Sequence, residues 1–247
     1  MLRGTFLLTW LLLGSLIPAV TFADSDPPKY VWRLDSRAPE VIFASGFASW
    51  GTNTDVFAHV TGNSCVNVTP TERDSGFIST TANQGWALQT AAAWAIQNPG
   101  RVMYLYRIRA NANFYNAERS LENYATRYPQ ANVGPINYIP SRQASEYMAL
   151  IQIETANIQE AVGYAVVNGE LAPGPVARNP GYHDRNTHAA ADGYTGNEGA
   201  DNRHNTWAMR MHSMIVGSCA GMRSELRTSG GSGDMFKLEA IALNLYL

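Results

Sequence analysis

The sequence lacks most of the motifs that usually announce a function. It has no GxSxG elbow, no phosphate-binding GxxxxGK[ST] loop and no GxGxxG turn. Those absences remove the commonest signatures of serine hydrolases, nucleoside triphosphatases and doubly wound dinucleotide-binding folds. There is no HExxH and no paired CxxC, and His59, His183, His188, His204 and His212 fit no metal-ligand spacing, so no metal site is expected. Charge is scarce: 18 basic residues stand against 20 acidic ones, for a net of −2. That balance gives no basic footprint for nucleic acid and no polybasic patch for a membrane. No internal repeat or low-complexity block is present.

Met1 to Ala23 reads as a signal peptide: Arg3, then the apolar run Phe6 to Leu13, then Thr21-Phe22-Ala23 as a small-residue cleavage site. The run is too short to span a membrane and no later one approaches that length, so no stable membrane insertion is expected. The expectation is a protein exported to a periplasm and then secreted. Only two cysteines occur, Cys65 and Cys219. In an exported chain they read as a disulfide closing a very long loop, with a contribution of about 5 kcal/mol through the unfolded chain; two buried thiols are the plainer alternative. Asn67-Val68-Thr69 matches a glycosylation sequon, which matters only in a eukaryotic source.

Periodicity predicts a strand over Val31 to Asp35, short helices over Pro39 to Ala44 and Asp55 to Val60, and a strand over Gly76 to Thr81. A longer helix is expected over Gln84 to Gln97, stopped by Asn98-Pro99-Gly100. Arg101 to Ala110 and Ser145 to Glu154 read as strands. So does Glu160 to Val167, which ends in the hairpin signal Asn168-Gly169. Arg127 to Arg142 reads as a long loop, and Pro173 to Asn205 as a mobile one. Thr206 to Met222 is a candidate helix, Thr228 to Gly233 a flexible connector and Phe236 to Leu247 an apolar tail. Strands mixed irregularly with helices, without a βαβ rhythm, indicate an α+β fold.

Few residues here invite chemistry on their own. In "YVWRLDSRAP" alternate positions place Arg33, Asp35 and Arg37 on one strand face; this is either a solvated ion-pair row or an anion site. Ser79, Thr80 and Thr81 end a strand, where hydroxyls cap a helix or floor a cleft. Glu146 opens a later strand, as either a solvated carboxylate or a group that steadies a cation. His59 lies beside Phe57 and Val60, where a lone histidine is more often packing than catalysis.

Their order, however, resembles that of the ADP-ribosyltransferase toxins. An Arg in a first strand is followed by a strand ending in Ser-Thr-Thr and then by a Glu opening a later strand. The segments "YVWRLDSRAPEVIFASGFASWG", "HVTGNSC", "FISTT", "YRIRANANFY", "ENY", "SEYMA" and "VGSCAGM" are similar to those of the pertussis-like A chains, from Tyr30 to about Gly221. The resemblance implies two packed, mostly antiparallel sheets with flanking helices and an NAD cleft between them. It implies a catalytic domain over 24–227, with 228–247 as connector and tail, the tail able to dock on a pentamer of binding subunits. It implies that NAD is the substrate, cleaved at its nicotinamide–ribose bond, and that ADP-ribose passes to a host protein in the host cytosol. The α subunit of a trimeric G protein is the expected acceptor.

The implied roles fall on particular positions. Glu146 would stabilise the ribose cation, and Arg33 would bind the NAD phosphate region, braced by Asp35 and Arg37. Ser79 and Thr80 would shape the cleft, with Thr81 supporting them. His59 would assist the acceptor, and Trp50 would stand near NAD. Cys65 and Cys219 would form the family disulfide, reduced in the target cell. One departure stands out: two residues before Glu146, where the family often has Gln or Glu, this chain has Ala144, with Gln143 one position further back. A second class of function is a secreted glycan-binding or adhesion module that uses the Arg row to grip an acidic sugar. A third, a glycosidase, lacks a clear second carboxylate to pair with Glu146.

Overall fold

The computed structural model describes residues 26–65, 69–131, 133–134 and 139–196. The expected leader, the sequon asparagine, the 206–222 helix, Cys219, the connector and the apolar tail lie outside the described residues. Nine strands are described: β1 (Tyr30–Asp35), β2 (Phe47–Ala48), β3 (Phe77–Thr81), β4 (Met103–Arg109), β5 (Phe114–Asn116), β6 (Glu146–Leu150), β7 (Gln152–Ile153), β8 (Ile158–Val167) and β9 (Glu170–Arg178). The five α-helices described are α1 (Pro39–Ser45), α2 (Val56–Val60), α3 (Gln84–Gln97), α4 (Ala117–Arg127) and α5 (Ile139–Ala144).

Local chemistry sets the helix starts. Pro39 opens α1, where its missing N–H costs nothing. Asp55, Asn83 and Asn116 cap α2, α3 and α4 by accepting from the backbone N–H groups of Ala58, Trp86 and Arg119 at 2.9–3.0 Å. The sequence reading missed α4. Its buried stripe is only Ala117, Ser120, Leu121 and Tyr124, and the rest of its surface is polar. It also missed α5, which occupies the end of the stretch read as loop from Arg127 to Arg142.

The main sheet runs β5-β6-β3-β1-β4-β8-β9, with β2 and β7 forming a second, two-stranded sheet. Every strand pair is antiparallel. One join in the main sheet is unlike the others. β1 pairs with β4 over its whole length, and β3 with β6 over its whole length. β1 meets β3 only at Trp32 and Thr81. The sheet is therefore two halves, β5-β6-β3 and β1-β4-β8-β9, touching at one pair and diverging beyond it. This is the expected α+β fold of packed antiparallel sheets.

Three apolar clusters hold the halves. Leu34, Met103 and Leu105 pack under Ala87, Ala91, Trp94 and Ala95 of α3. Val56, Phe57 and Val60 of α2 meet Phe77, Met148 and Leu121, Tyr124 of α4. Ile42, Phe47, Tyr106, Phe114 and Ile153 fill the opposite face.

Two expectations need correction. Ser145 to Glu154 is not one strand. Ile151 takes a left-handed φ of 64°, its N–H donates to Gly76 O at 2.7 Å and its carbonyl accepts from Ser49 N at 2.8 Å. The chain thus leaves the main sheet at Ile151 and enters the small one, and alternation of side chains cannot reveal such a turn. Nor is the region from Pro173 simply loop. Its first residues continue β9, which among the described residues is the border strand, hydrogen-bonded to β8 and carrying Pro173 and Pro175. Beyond β9 the chain lies against the body as a strap. Ala189 N donates to Pro28 O and Ala190 N to Phe114 O, at 3.0 and 2.9 Å. Tyr194 packs edge-on against Phe77 and Tyr115.

Gly46, between α1 and β2, has φ of 70°, and a Cβ there would overlap the carbonyl oxygen of Ile153 in β7. Strained backbone and a rigid neighbour act together, so Gly46→Ala is expected to lower stability by about 3 kcal/mol. Denaturant unfolding measures it, and a loss below about 0.5 kcal/mol would contradict the packing described here.

Candidate active site

The charged row of β1 is buried. The Arg33 side chain is 10% exposed and that of Asp35 is 3%. Arg37, just beyond the strand, forks onto Asp35: its Nε donates to Oδ1 and its Nη2 to Oδ2, both at 2.8 Å. Arg33 Nη2 lies 3.7 Å from the same Oδ2. Both guanidiniums stand over the Phe47 ring, at 5.2 and 5.4 Å. Burial pushes the Asp35 carboxyl upward, but the hydrogen bonds of Arg37 and the two positive charges outweigh it and hold the group below its ordinary range. Burial pulls Arg33 down to about 10, which leaves it charged at neutral pH. Two cations against one anion give this corner a net positive charge.

Arg33 does more than neutralise Asp35. Its Nη1 donates to the backbone carbonyl of Ser79 at 2.7 Å. That carbonyl sits where β1 and β3 have parted, so the guanidinium supplies a donor across the gap where strand pairing has ended. Ser79 is bonded on its other side as well. Its Oγ is 3.0 Å from His59 Nε2, and His59 Nδ1 is 2.8 Å from Ser75 Oγ. His59 Nε2 lies 3.7 Å from Glu146 Oε1. Glu146 Oε2 accepts from Ser141 Oγ at 3.0 Å. Ser75, Ser79, His59, Ser141 and Glu146 are each no more than 2% exposed. A continuous polar chain therefore runs from Arg33 through Ser79 and His59 to Glu146, inside apolar surroundings.

Three features aim Glu146. It opens β6, opposite Thr81 of β3. Ser145 before it takes a left-handed φ of 45°, and its carbonyl accepts from Ala82 N at 2.9 Å. The hydroxyl of Thr81 donates to the Ala144 carbonyl, fastening the end of α5 to the end of β3. Register puts Ser79, Thr81 and Glu146 on one face, and Thr80 on the other. There the Thr80 hydroxyl donates to Tyr147 O at 2.6 Å, binding β3 to β6.

The site thus brings together Arg33, Asp35, Arg37, Ser79, His59 and Glu146, with Thr80 and Thr81 as ties between strands. Trp50 lies at the surface. It is 39% exposed and lies 4.9 Å from the guanidinium of Arg73, on a loop whose Gly51 N donates to Ser75 O at 3.0 Å. Gln143 is exposed on α5, whereas Ala144 is buried. Cys65 is buried behind α2, and its expected partner Cys219 lies outside the described residues. Ser75 and Ser141 escaped the sequence reading. Neither carries a motif; the one available signal was that each lies within a few residues of a candidate strand that ends in the site. A glycan-gripping row on an open strand face does not fit, because Arg33 and Asp35 are inside. No group of three His, Cys, Asp or Glu side chains able to hold a metal occurs among the described residues, and no helix among them is long and apolar enough to cross a membrane.

Comparison with known proteins bears on this arrangement. Residues 26–199 match the family model of "Pertussis toxin, subunit 1". Pertussis toxin subunit 1 of Bordetella pertussis is 32% identical over 97% of this chain and 92% of its own length. The ADP-ribosylating toxin CARDS of Mycoplasma pneumoniae is 34% identical over 40% of this chain and 16% of its own. Among solved structures, EcPltA superposes with a TM-score of 0.57 at 32% identity, covering 68% of this chain and 95% of that one.

The Asp35 arrangement has a measurable consequence. A carboxyl held low in the folded state contributes stability that is present above its unfolded pKa and is lost as pH falls through the folded value. Stability should therefore drop as pH falls below about 4. Asp35→Asn, which leaves the buried Arg33 without its counter-ion and Arg37 without its fork, is expected to cost about 3 kcal/mol at neutral pH and to flatten that acid limb. Urea titrations of both proteins across pH 2 to 7 read both effects (about that range brackets carboxyl titration).

Proposed function

This chain belongs to the pertussis toxin subunit 1 family, and from that premise we propose that it is a secreted toxin A chain that cleaves NAD at the nicotinamide–ribose bond and transfers ADP-ribose to a host protein. ADP-ribosylation is the family's chemistry. The observation that carries the reading is the buried carboxylate of Glu146, fixed by Ser141 and joined through His59 and Ser79 to Arg33.

The chemistry follows from what bond breaking requires. As the bond lengthens, nicotinamide leaves as a neutral molecule and the ribose takes on positive charge. A fixed anion in a water-poor site stabilises that charge more in the transition state than in the ground state. Glu146 fills this role and accepts from a ribose hydroxyl. His59, 3.7 Å from Oε1, holds the carboxylate in place. The two guanidiniums around Asp35 give the diphosphate a positive corner, and Arg33 keeps β1 and β3 apart at the width the dinucleotide needs. Exposed Trp50 offers a flat surface beside the cleft.

The acceptor we propose is the α subunit of a trimeric G protein in the host cytosol. The name of the Bordetella relative counts it as one subunit of several. We propose further that the chain is an A chain carried by a pentamer of binding subunits after export through the periplasm, with the apolar tail as the docking element. A Cys65–Cys219 link, reduced on arrival, would release the site. Ala144 stands where Gln or Glu often selects the acceptor, so the modified side chain is to be read directly by mass spectrometry of the labelled host protein.

Glu146→Gln keeps the shape of the side chain and its bond to Ser141 while removing its charge. It is expected to reduce cleavage of labelled NAD by about 100-fold or more with an unchanged circular dichroism spectrum. NAD consumption at the wild-type rate would end the assignment. Incubating the reduced wild type with labelled NAD and a eukaryotic lysate tests the transfer; a single labelled band at the size of a G-protein α subunit is expected.

A further inference from the structure

Ser75 is fully buried and the candidate function above assigns it nothing, yet it makes a close side-chain hydrogen bond to His59, 2.8 Å from Oγ to Nδ1. We propose that Ser75 is a positioning residue that fixes His59 as the tautomer protonated on Nε2, so that the ring presents an N–H to Ser79 and Glu146. The inference rests on the NAD-cleaving reading of this site.

The argument is an inventory of protons. Ser75 Oγ already accepts from Phe77 N at 3.2 Å. Its own proton has two acceptors in reach: His59 Nδ1 at 2.8 Å and Phe77 O at 3.5 Å. The second is beyond the normal range for an O–H···O bond. If Nδ1 carried the ring proton it would donate to Oγ, and the buried hydroxyl would be left with that long contact alone. Buried donors are rarely left so poorly satisfied. With Nδ1 bare, the hydroxyl donates at 2.8 Å and the ring proton goes to Nε2. The other side of the ring accommodates the same tautomer, with Ser79 Oγ accepting from the Nε2–H. Nε2 lies 3.0 Å from Ser79 Oγ and 3.7 Å from the carboxylate oxygen of Glu146. A bare lone pair there would face an anion, whereas an N–H meets it with the positive end of a dipole.

Ser75 is itself held in place by backbone. Its carbonyl accepts from Gly51 N at 3.0 Å, and its N–H donates to Ser64 O at 3.1 Å. The tautomer is thereby coupled to the Trp50 loop on one side and to the segment after α2 on the other. In this resting form His59 is a donor directed at Ser79 and Glu146; its Nε2 holds a proton and does not take one.

Long-range proton–nitrogen NMR on the full chain labelled at histidine nitrogen reads the tautomer without substrate. The expected result is a protonated Nε2 and a bare Nδ1 for His59; a ring protonated on Nδ1, alone or together with Nε2, overturns the proposal. In Ser75→Ala the Nε2–H preference should be lost, and kcat for NAD cleavage should fall about tenfold with KM within about twofold, the loss of one hydrogen bond acting in the transition state. Unchanged kcat, or a loss confined to KM, overturns the positioning role. A wild type that consumes no NAD overturns the functional reading instead, while the spectrum still decides the tautomer.

Discussion

The hydrogen bond from the Arg33 guanidinium to the Ser79 carbonyl is the constraint on which the rest depends. Two half-sheets meet at a single residue pair and then diverge. Backbone groups along that divergence have lost the partners a continuous ladder would give them, and a buried unmet carbonyl is costly. A side chain from β1 satisfies the carbonyl from across the gap. It thereby sets how far apart the halves stand and where Ser79 sits. Ser79 in turn places His59, and His59 lies against the carboxylate at the start of β6.

Such a strut needs its own electrostatics in order. A guanidinium buried this deeply loses most of its hydration, which is why burial lowers its pKa. Asp35 compensates, and Arg37 compensates Asp35 with a two-point fork. Removing Asp35 leaves the buried Arg33 without a counter-ion, and removing Arg37 takes away the fork that holds Asp35, so the three form one unit. The chemistry is served as well, because a corner with one positive charge in excess suits an anionic dinucleotide.

How much of this is readable in the sequence depends on range. Short-range patterns located β1, β3, β4, β8 and the start of β6, but not the short β2 and β5 or the proline-bearing β9, and Asn98-Pro99-Gly100 ended α3 where expected. Patterns failed where a local rule was overridden. Ile151 adopts a backbone that β-branched residues avoid, so the break between β6 and β7 left no trace. In α4 the apolar stripe is too narrow to stand out. The site residues themselves were named by likeness to a family, not by physics: alternation put Arg33, Asp35 and Arg37 together, but it could not tell a solvated row from a buried strut. Ser75 and Ser141 stayed invisible because nothing in a serine's neighbours along the chain says that a histidine or a carboxylate will arrive from another element.

The border strand β9 has a consequence for assembly. Pro173 and Pro175 have no N–H to offer, so this margin of the sheet is a poor template for another chain to extend. At the opposite margin, the strap already occupies a carbonyl of β5. Among the described residues, one border is blunted by prolines and the other partly covered, so strand-by-strand addition of another chain is disfavoured at both. For the described body, which is mostly sheet, this lowers the tendency to stack edge to edge into fibres.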